Sequence, residues 1–249
     1  MTRALLLGGT TEASQMARVL AEAGVKAVFS YAGRTQSPVP QPLPMRVGGF
    51  GGVSGLSRYL RSQHISHVID ATHPFAEGMS RNAIEACHSA HVPLVRLERP
   101  AWVPAPRDNW TMLSRLEDIP DALPDLPTRV FLAIGKQHLA LFMTKPQHHY
   151  LLRLVDEPDG TLPLPSADVV IARGPFDVDG DHALMQSHDI THVVAKNSGG
   201  TGARAKLDAA RILGLQVLMA QRPLLPRHTV ATTPREVMQW LGHDADLGV

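Results

Sequence analysis

Short unbroken apolar runs alternate along this chain with longer stretches whose apolar positions recur every three or four residues. That alternation predicts parallel strands joined by helices. Ala4 to Leu7 forms a buried-strand run that stops at Gly8-Gly9. Ala13, Met16, Ala17, Leu20 and Ala21 then share one helical face, with Thr10 or Thr11 as cap and Gly24 as terminator. Val25 to Ser30 predicts a second strand. A proline-rich loop, Ser37 to Pro44, leads to the glycine turn Gly48-Gly49-Phe50-Gly51-Gly52 and a helix around Val53, Leu56, Tyr59 and Leu60. His67 to Ala71 and Pro93 to Leu97 predict two more strands, separated by a helix carrying Met79, Ala83, Cys87 and Ala90.

From Pro100 to Pro127 the periodicity dissolves into prolines, two tryptophans and a short acidic stretch, with one weak strand at Thr111 to Leu113. A segment this long without regular structure reads as a hinge between domains. The alternation then restarts with strands at Val130 to Ile134, His149 to Val155, Val169 to Ala172 and His192 to Ala195. A helix with Ala205, Leu207, Ala210 and Leu213 precedes a strand at Gln216 to Met219, and a helix from Pro234 to Leu241 follows Thr233 as cap. The expected architecture is α/β: two Rossmann-like parallel-sheet domains, residues 1–127 and 128–249, with a cleft between them. Linear order leaves open whether a strand or the C-terminal helix crosses from one half to the other.

Composition narrows the function classes. Lys and Arg number 24 against 23 Asp and Glu, without the basic excess that marks nucleic-acid binding. The N-terminal apolar run of about four residues is too short for a secretion signal, and no run approaches the roughly 20 residues that span a membrane. The single Cys87 cannot form an internal disulfide, which fits a reducing cytoplasm. The 13 histidines include i, i+3 pairs at His64/His67 and His88/His91, but no set completes a metal site, so no metal is expected. A nucleophile elbow of the G-x-S-x-G kind is missing, which removes the serine-hydrolase reading.

Three constellations carry chemistry. Gly8-Gly9-Thr10-Thr11-Glu12, between a strand and a helix, lets backbone amides approach a diphosphate at a helix N-terminus; the plain alternative is a tight turn with a threonine cap. At the end of the second strand, Tyr31-Ala32-Gly33-Arg34-Thr35 lacks the carboxylate that would bond an NAD ribose. Arg34 there suits a 2′-phosphate instead, and so NADPH, unless it is a solvated loop arginine. S-adenosylmethionine chemistry would also require an acidic residue at this position. Finally, Arg96, Lys136, Arg173 and Lys196 stand at strand ends, with Arg204 and Lys206 opening the next helix. Each alone reads as a surface cation; together they suit a ligand with several carboxylates or phosphates. Ser198-Gly199-Gly200-Thr201-Gly202 offers a second amide cradle. His73, directly after a strand, is a candidate for cofactor packing and a weaker one for proton donation.

The strings LLLGGTTEA (5–13), SYAGRT (30–35), VGGFGG (47–52), DATHPFA (70–76), VRLERPAW (95–102), AIGKQ (133–137), ARGPF (172–176) and KNSGGTGARAK (196–206) together resemble the precorrin-6A reductase family of cobalamin biosynthesis. The resemblance spans nearly the whole chain, in order. It implies NADPH-dependent reduction of one double bond in a ring-contracted tetrapyrrole, with hydride to C19 and a proton to C18, giving precorrin-6B. It further implies cofactor contacts from Gly8, Gly9, Thr10, Thr11, Glu12, Arg34, Thr35, Gly49, Phe50, Thr72 and His73. The acetate and propionate arms of the substrate would meet Arg96, Lys136, Arg173, Lys196, Ser198, Gly199, Gly200 and Lys206. A cobalt-loaded ring as substrate, another polyanion reduced by NADPH, and an NADPH-binding redox sensor are the alternatives.

Overall fold

The computed structural model describes residues 2–33, 38–158 and 160–246. The chain divides into two compact units, residues 1–100 with 224–249, and residues 101–223.

The first unit is built on β1 (Arg3–Leu7), α1 (Thr11–Glu22), β2 (Lys26–Tyr31), β3 (Met45–Val47), α2 (Gly52–Ser62), β4 (His67–Asp70), α3 (Glu77–Ala90) and β5 (Leu94–Leu97). The strands are parallel and short, and their side chains alternate between two covered faces. Ala4, Leu6, Phe29, Ile69 and Val95 pack with Met16, Ala17 and Leu20 of α1. Leu5, Leu7 and Val68 pack with Leu56 and Leu60 of α2 and Ala83, Ala86 and Cys87 of α3.

The second unit contains β6 (Asn109–Leu113), α4 (Ile119–Ala122), β7 (Arg129–Ala133), a 3-10 stretch (Lys136–Thr144), β8 (His149–Leu154), β9 (Ala167–Ile171), α5 (Val178–Ser187), β10 (His192–Lys196), α6 (Ala205–Leu213) and β11 (Gln216–Ala220). Phe131, Leu151, Val193, Val217 and Met219 cover one sheet face together with Met185 of α5 and Leu207 and Ala210 of α6. The chain then returns to the first unit as β12 (Thr229–Ala231) and α7 (Pro234–Asp246). There β12 pairs with β5, and Val237 and Leu241 complete the α1 side of the core.

The first sheet has the order β12-β5-β4-β1-β2-β3, which is the 3-2-1-4-5-6 order of a dinucleotide-binding sheet. The second, β6-β11-β10-β7-β8-β9, repeats the same winding from β7 to β11, with β6 occupying the edge where a sixth strand would lie. The expected division at 127/128 therefore does not follow the sheets. The supposed hinge holds β6, a full strand of the second sheet, and Trp102, which is buried in that unit's core. The last 26 residues belong to the first unit, because β5 would otherwise be an open edge and α1 would lack its neighbour α7. The pattern also missed β3, β12, α4 and α5, which are short or only weakly amphipathic.

Candidate active site

In an open α/β sheet, ligands bind beyond the carboxyl ends of the strands where strand order reverses. In the first unit that point lies between β1 and β4. Gly8, just after β1, carries no side chain because a Cβ there would come within 2.1 Å of the fully buried Phe29 ring. Gly9 has φ +128°, and nothing lies within 4 Å of where its Cβ would be. Its backbone is thus strained for any other residue and open to a ligand.

The Thr10 hydroxyl accepts a hydrogen bond from the Ala13 amide (3.1 Å) and donates one to the Ala71 carbonyl (2.8 Å). It caps α1 and ties the turn to the end of β4. The amides of Gly9, Thr10, Thr11 and Glu12 meet no acceptor among the described residues, as expected of the first turn of a helix. Open backbone at Gly9 and four unspent donors fit a diphosphate. Glu12 presents a carboxylate beside those donors, and Arg99 neutralises it, with Nη1 2.6 Å from Oε2. Arg99 leaves the end of β5 and lines a small cleft with Thr10, Thr72 and Pro74. The sequence reading missed it.

Asp70 ends β4 and is fully buried. Its carboxylate accepts from the Thr72 amide (3.1 Å), the Thr72 hydroxyl (2.7 Å) and the Ser80 hydroxyl (2.6 Å). The turn that carries Thr72 and His73 is therefore fixed from beneath. His73 Nδ1 accepts from the Phe75 amide (3.2 Å), which leaves the ring proton on Nε2.

Arg96 faces carboxylates of its own unit. It lies opposite Asp70 in the β4–β5 ladder, is 2% exposed, and its guanidinium faces Asp70 and Glu98 at 3.3 Å each. Burial so complete makes it a partner for those carboxylates. Phe50 is also turned to packing. Its ring, partly buried, lies 3.8 Å under the Arg46 guanidinium and edge-on to Tyr59. Arg46 in turn bonds Ser30 Oγ (2.7 Å) and the carbonyls of Gly48 and Gly49 (2.9 and 3.2 Å). It thereby braces the exposed Gly49 turn against the end of β2. Arg34 and Thr35 lie outside the described residues. Cys87 is no nucleophile: burial, and then the neighbouring Asp70, push its thiol up to about 12.

A groove of about 740 Å³ opens at the opposite, amino edge, between Arg3, Lys26, Pro44 and His64. The C-terminal ends of α1 and α2 point there, so it lacks the amide donors a diphosphate needs.

In the second unit the reversal lies between β7 and β10. Gly135-Lys136 follows β7, and Lys196 closes β10 and runs into Asn197-Ser198-Gly199-Gly200. Lys136 is exposed, whereas Lys196 and Ser198 are buried. Arg173 follows β9 at the same edge, two strands from the reversal, and pairs with Asp156 at 2.7 Å. That pair is exposed on both sides and easily redirected to another carboxylate. Lys206 is buried, its ammonium donates to the Ala203 carbonyl and it lies 5.2 Å from the Trp102 ring centre. It props the loop from inside. Trp102 and Asn197, which sequence reading did not single out, exchange two buried hydrogen bonds: Trp102 N–H to Asn197 Oδ1 (2.7 Å) and Asn197 Nδ2 to the Trp102 carbonyl (2.9 Å). Gly199 and Gly200 have φ near +70° (+69° and +72°), and the amides of Gly199 to Gly202 meet no acceptor among the described residues.

Comparison with known proteins agrees with this geometry. The model of the precorrin-6x reductase CbiJ/CobK family matches residues 3–242. A precorrin-6A reductase of Rhodobacter capsulatus is 60% identical over 97% of this chain and 96% of its own. One from Rhodococcus erythropolis is 47% identical over 92% of each. The solved structure of CobK precorrin-6A reductase superposes with a TM-score of 0.93 at 59% identity, covering 98% of this chain and 97% of its own. With its strand order, its glycine turn and nearly its whole length accounted for, the chain belongs to the precorrin-6x reductase CbiJ/CobK family.

Proposed function

We propose that this chain works in the cytoplasm as an NADPH-dependent reductase, adding hydrogen across one double bond of precorrin-6A to give precorrin-6B in cobalamin biosynthesis. One observation carries the reading: four unspent amides, from Gly9 to Glu12, converge where the strand order of the first sheet reverses. NADPH, when bound, supplies the hydride.

The protein's own part is binding and orientation. The Gly9–Glu12 amides and the α1 N-terminus hold the diphosphate. Arg34, three positions past β2 in the sequence, would pair with the 2′-phosphate, with Thr35 and Gly49 as further contacts to the cofactor. Thr72 and His73, set by Asp70, pack at the nicotinamide end. On the second unit, Lys136, Arg173 and Lys196, with the amides of Gly199 and Gly200 and the Ser198 segment, receive substrate carboxylates and fix the face that is reduced. Hydride goes to C19 and a proton to C18. His73, whose Nδ1 accepts from the Phe75 amide, takes a packing role, and the C18 proton comes from water.

The test is anaerobic mixing of the protein with precorrin-6A and NADPH while the nicotinamide and macrocycle absorbances are followed. Loss of NADPH matched by a macrocycle change is the expected result. NADPH binding with neither band moving would remove the substrate assignment and leave a nucleotide-binding sensor. Turnover only with the cobalt-loaded ring would shift the assignment to cobalt-precorrin-6A.

A further inference from the structure

We propose that Trp102 and Arg222 are substrate-positioning residues that aim the loop amides of Thr201 and Gly199 at a carboxylate of the tetrapyrrole. The inference rests on reading the 198–202 loop as a carboxylate cradle. In a trans peptide the C=O of one residue and the N–H of the next point in opposite directions. A protein that anchors a loop carbonyl from behind therefore turns the following N–H outward.

Both anchors are present. The Trp102 indole N–H donates to the Gly200 carbonyl at 2.6 Å, which orients the Gly200–Thr201 peptide. Arg222 Nη2 donates to the Ser198 carbonyl at 3.1 Å, which orients the Ser198–Gly199 peptide. Its Nε also donates to the Asn197 carbonyl at 2.9 Å. The amides of Gly199 and Thr201 are then left without an acceptor among the described residues. Such donors favour an anionic ligand, and a carboxylate bonded by two amides is a strong, directional contact. Trp102 itself cannot drift, because its backbone is locked to Asn197 in both directions.

The test measures binding of precorrin-6A and of NADPH separately, by spectral titration, along with thermal stability. Trp102→Phe keeps a ring beneath Lys206 and removes only the N–H. It should weaken precorrin-6A binding about tenfold, the scale of one charge-assisted hydrogen bond, with NADPH binding unchanged. Arg222→Met should act in the same direction. Gly202→Ala provides a check that does not disturb an anchor: its added methyl meets no protein atom within 4 Å. It should weaken precorrin-6A binding without lowering Tm. Wild-type affinity for precorrin-6A in Trp102→Phe and Gly202→Ala would overturn the proposal while leaving the reductase assignment standing. Parallel loss of Tm, NADPH binding and precorrin-6A binding in Trp102→Phe would also overturn it, since that is the signature of a purely structural tryptophan. Failure of the wild-type protein to bind precorrin-6A at all would overturn the reductase reading and this inference together.

Discussion

Two adjacent glycines in the first turn do different work. Gly8 is required by a neighbour, the buried Phe29 ring, and Gly9 by its own backbone. Gly8→Ala should lower stability by about 1–3 kcal/mol through overpacking, read as a shift in denaturant midpoint. Two arginines separate in a similar way. Arg34→Ala should weaken NADPH binding by about 1.5–3 kcal/mol while leaving NADH nearly untouched, since the two cofactors differ at the 2′-phosphate. Arg99→Ala leaves the Glu12 carboxylate uncompensated beside the open amides of the turn and should weaken both cofactors alike, by about 1 kcal/mol. Titrating each variant with both nucleotides tells the two arginines apart. At this scale the sequence reveals the glycine turn, because strand, glycine and helix follow one another along the chain. It conceals the fate of the cations. Arg96 and Lys136 both stand near strand ends, but Arg96 lies opposite Asp70 in the ladder, and no local pattern discloses which residue sits across the sheet. Lys206 is hidden for the same reason, its partner Trp102 lying more than a hundred positions away.

Among the elements, β6 shows how a strand can be present without a strong pattern. Two of its five residues, Trp110 and Leu113, are partly buried and the rest are exposed, so it carries little of the apolar run that made β7 and β10 legible. What holds it is partly electrostatic. Asp108, just before β6, accepts two hydrogen bonds from Arg211 at the end of α6 (2.7 and 3.1 Å) and one from the Ala105 amide (2.7 Å). Burial alone would raise the Asp108 carboxyl, but those bonds and the Arg211 charge hold it below the usual carboxylate range. A carboxyl lowered in the folded state contributes stability that is present above its unfolded value, near 4, and is lost as pH falls through the lower folded value. The second unit should therefore lose stability through this group as pH falls below roughly 4. Asp108→Asn should be less stable at neutral pH and should show a shallower acid loss, as measured by urea unfolding at several pH values.

For the molecule as a whole, the chain leaves the first unit at Pro100 and re-enters it at Leu224, so one unit is continuous in sequence and the other is made of two pieces. A linear reading assumes that neighbours in sequence share a domain, and here that assumption fails at both crossings. Signals for a return were faint: β12 has three residues, and α7 looks like any terminal amphipathic helix. The energetic consequence is asymmetric. Residues 101–223 contain all six strands of the second sheet and the helices that cover the core face built on Phe131, Val193 and Met219. Residues 1–100 lack β12 and α7, and with them Val237 and Leu241, whose burial is worth about 1.5–3 kcal/mol each. Without those two elements β5 also becomes an open edge beside an uncovered patch of the α1 face. Since a domain's net stability is only about 5–15 kcal/mol, losing both should be decisive. A fragment of residues 101–223 should unfold cooperatively when expressed alone, whereas residues 1–100 should not, and joining residues 224–249 to them through a flexible linker should restore a cooperative transition and NADPH binding. A stably folded 1–100 fragment that binds NADPH would show that the returning segment adds to this unit without being needed for its core.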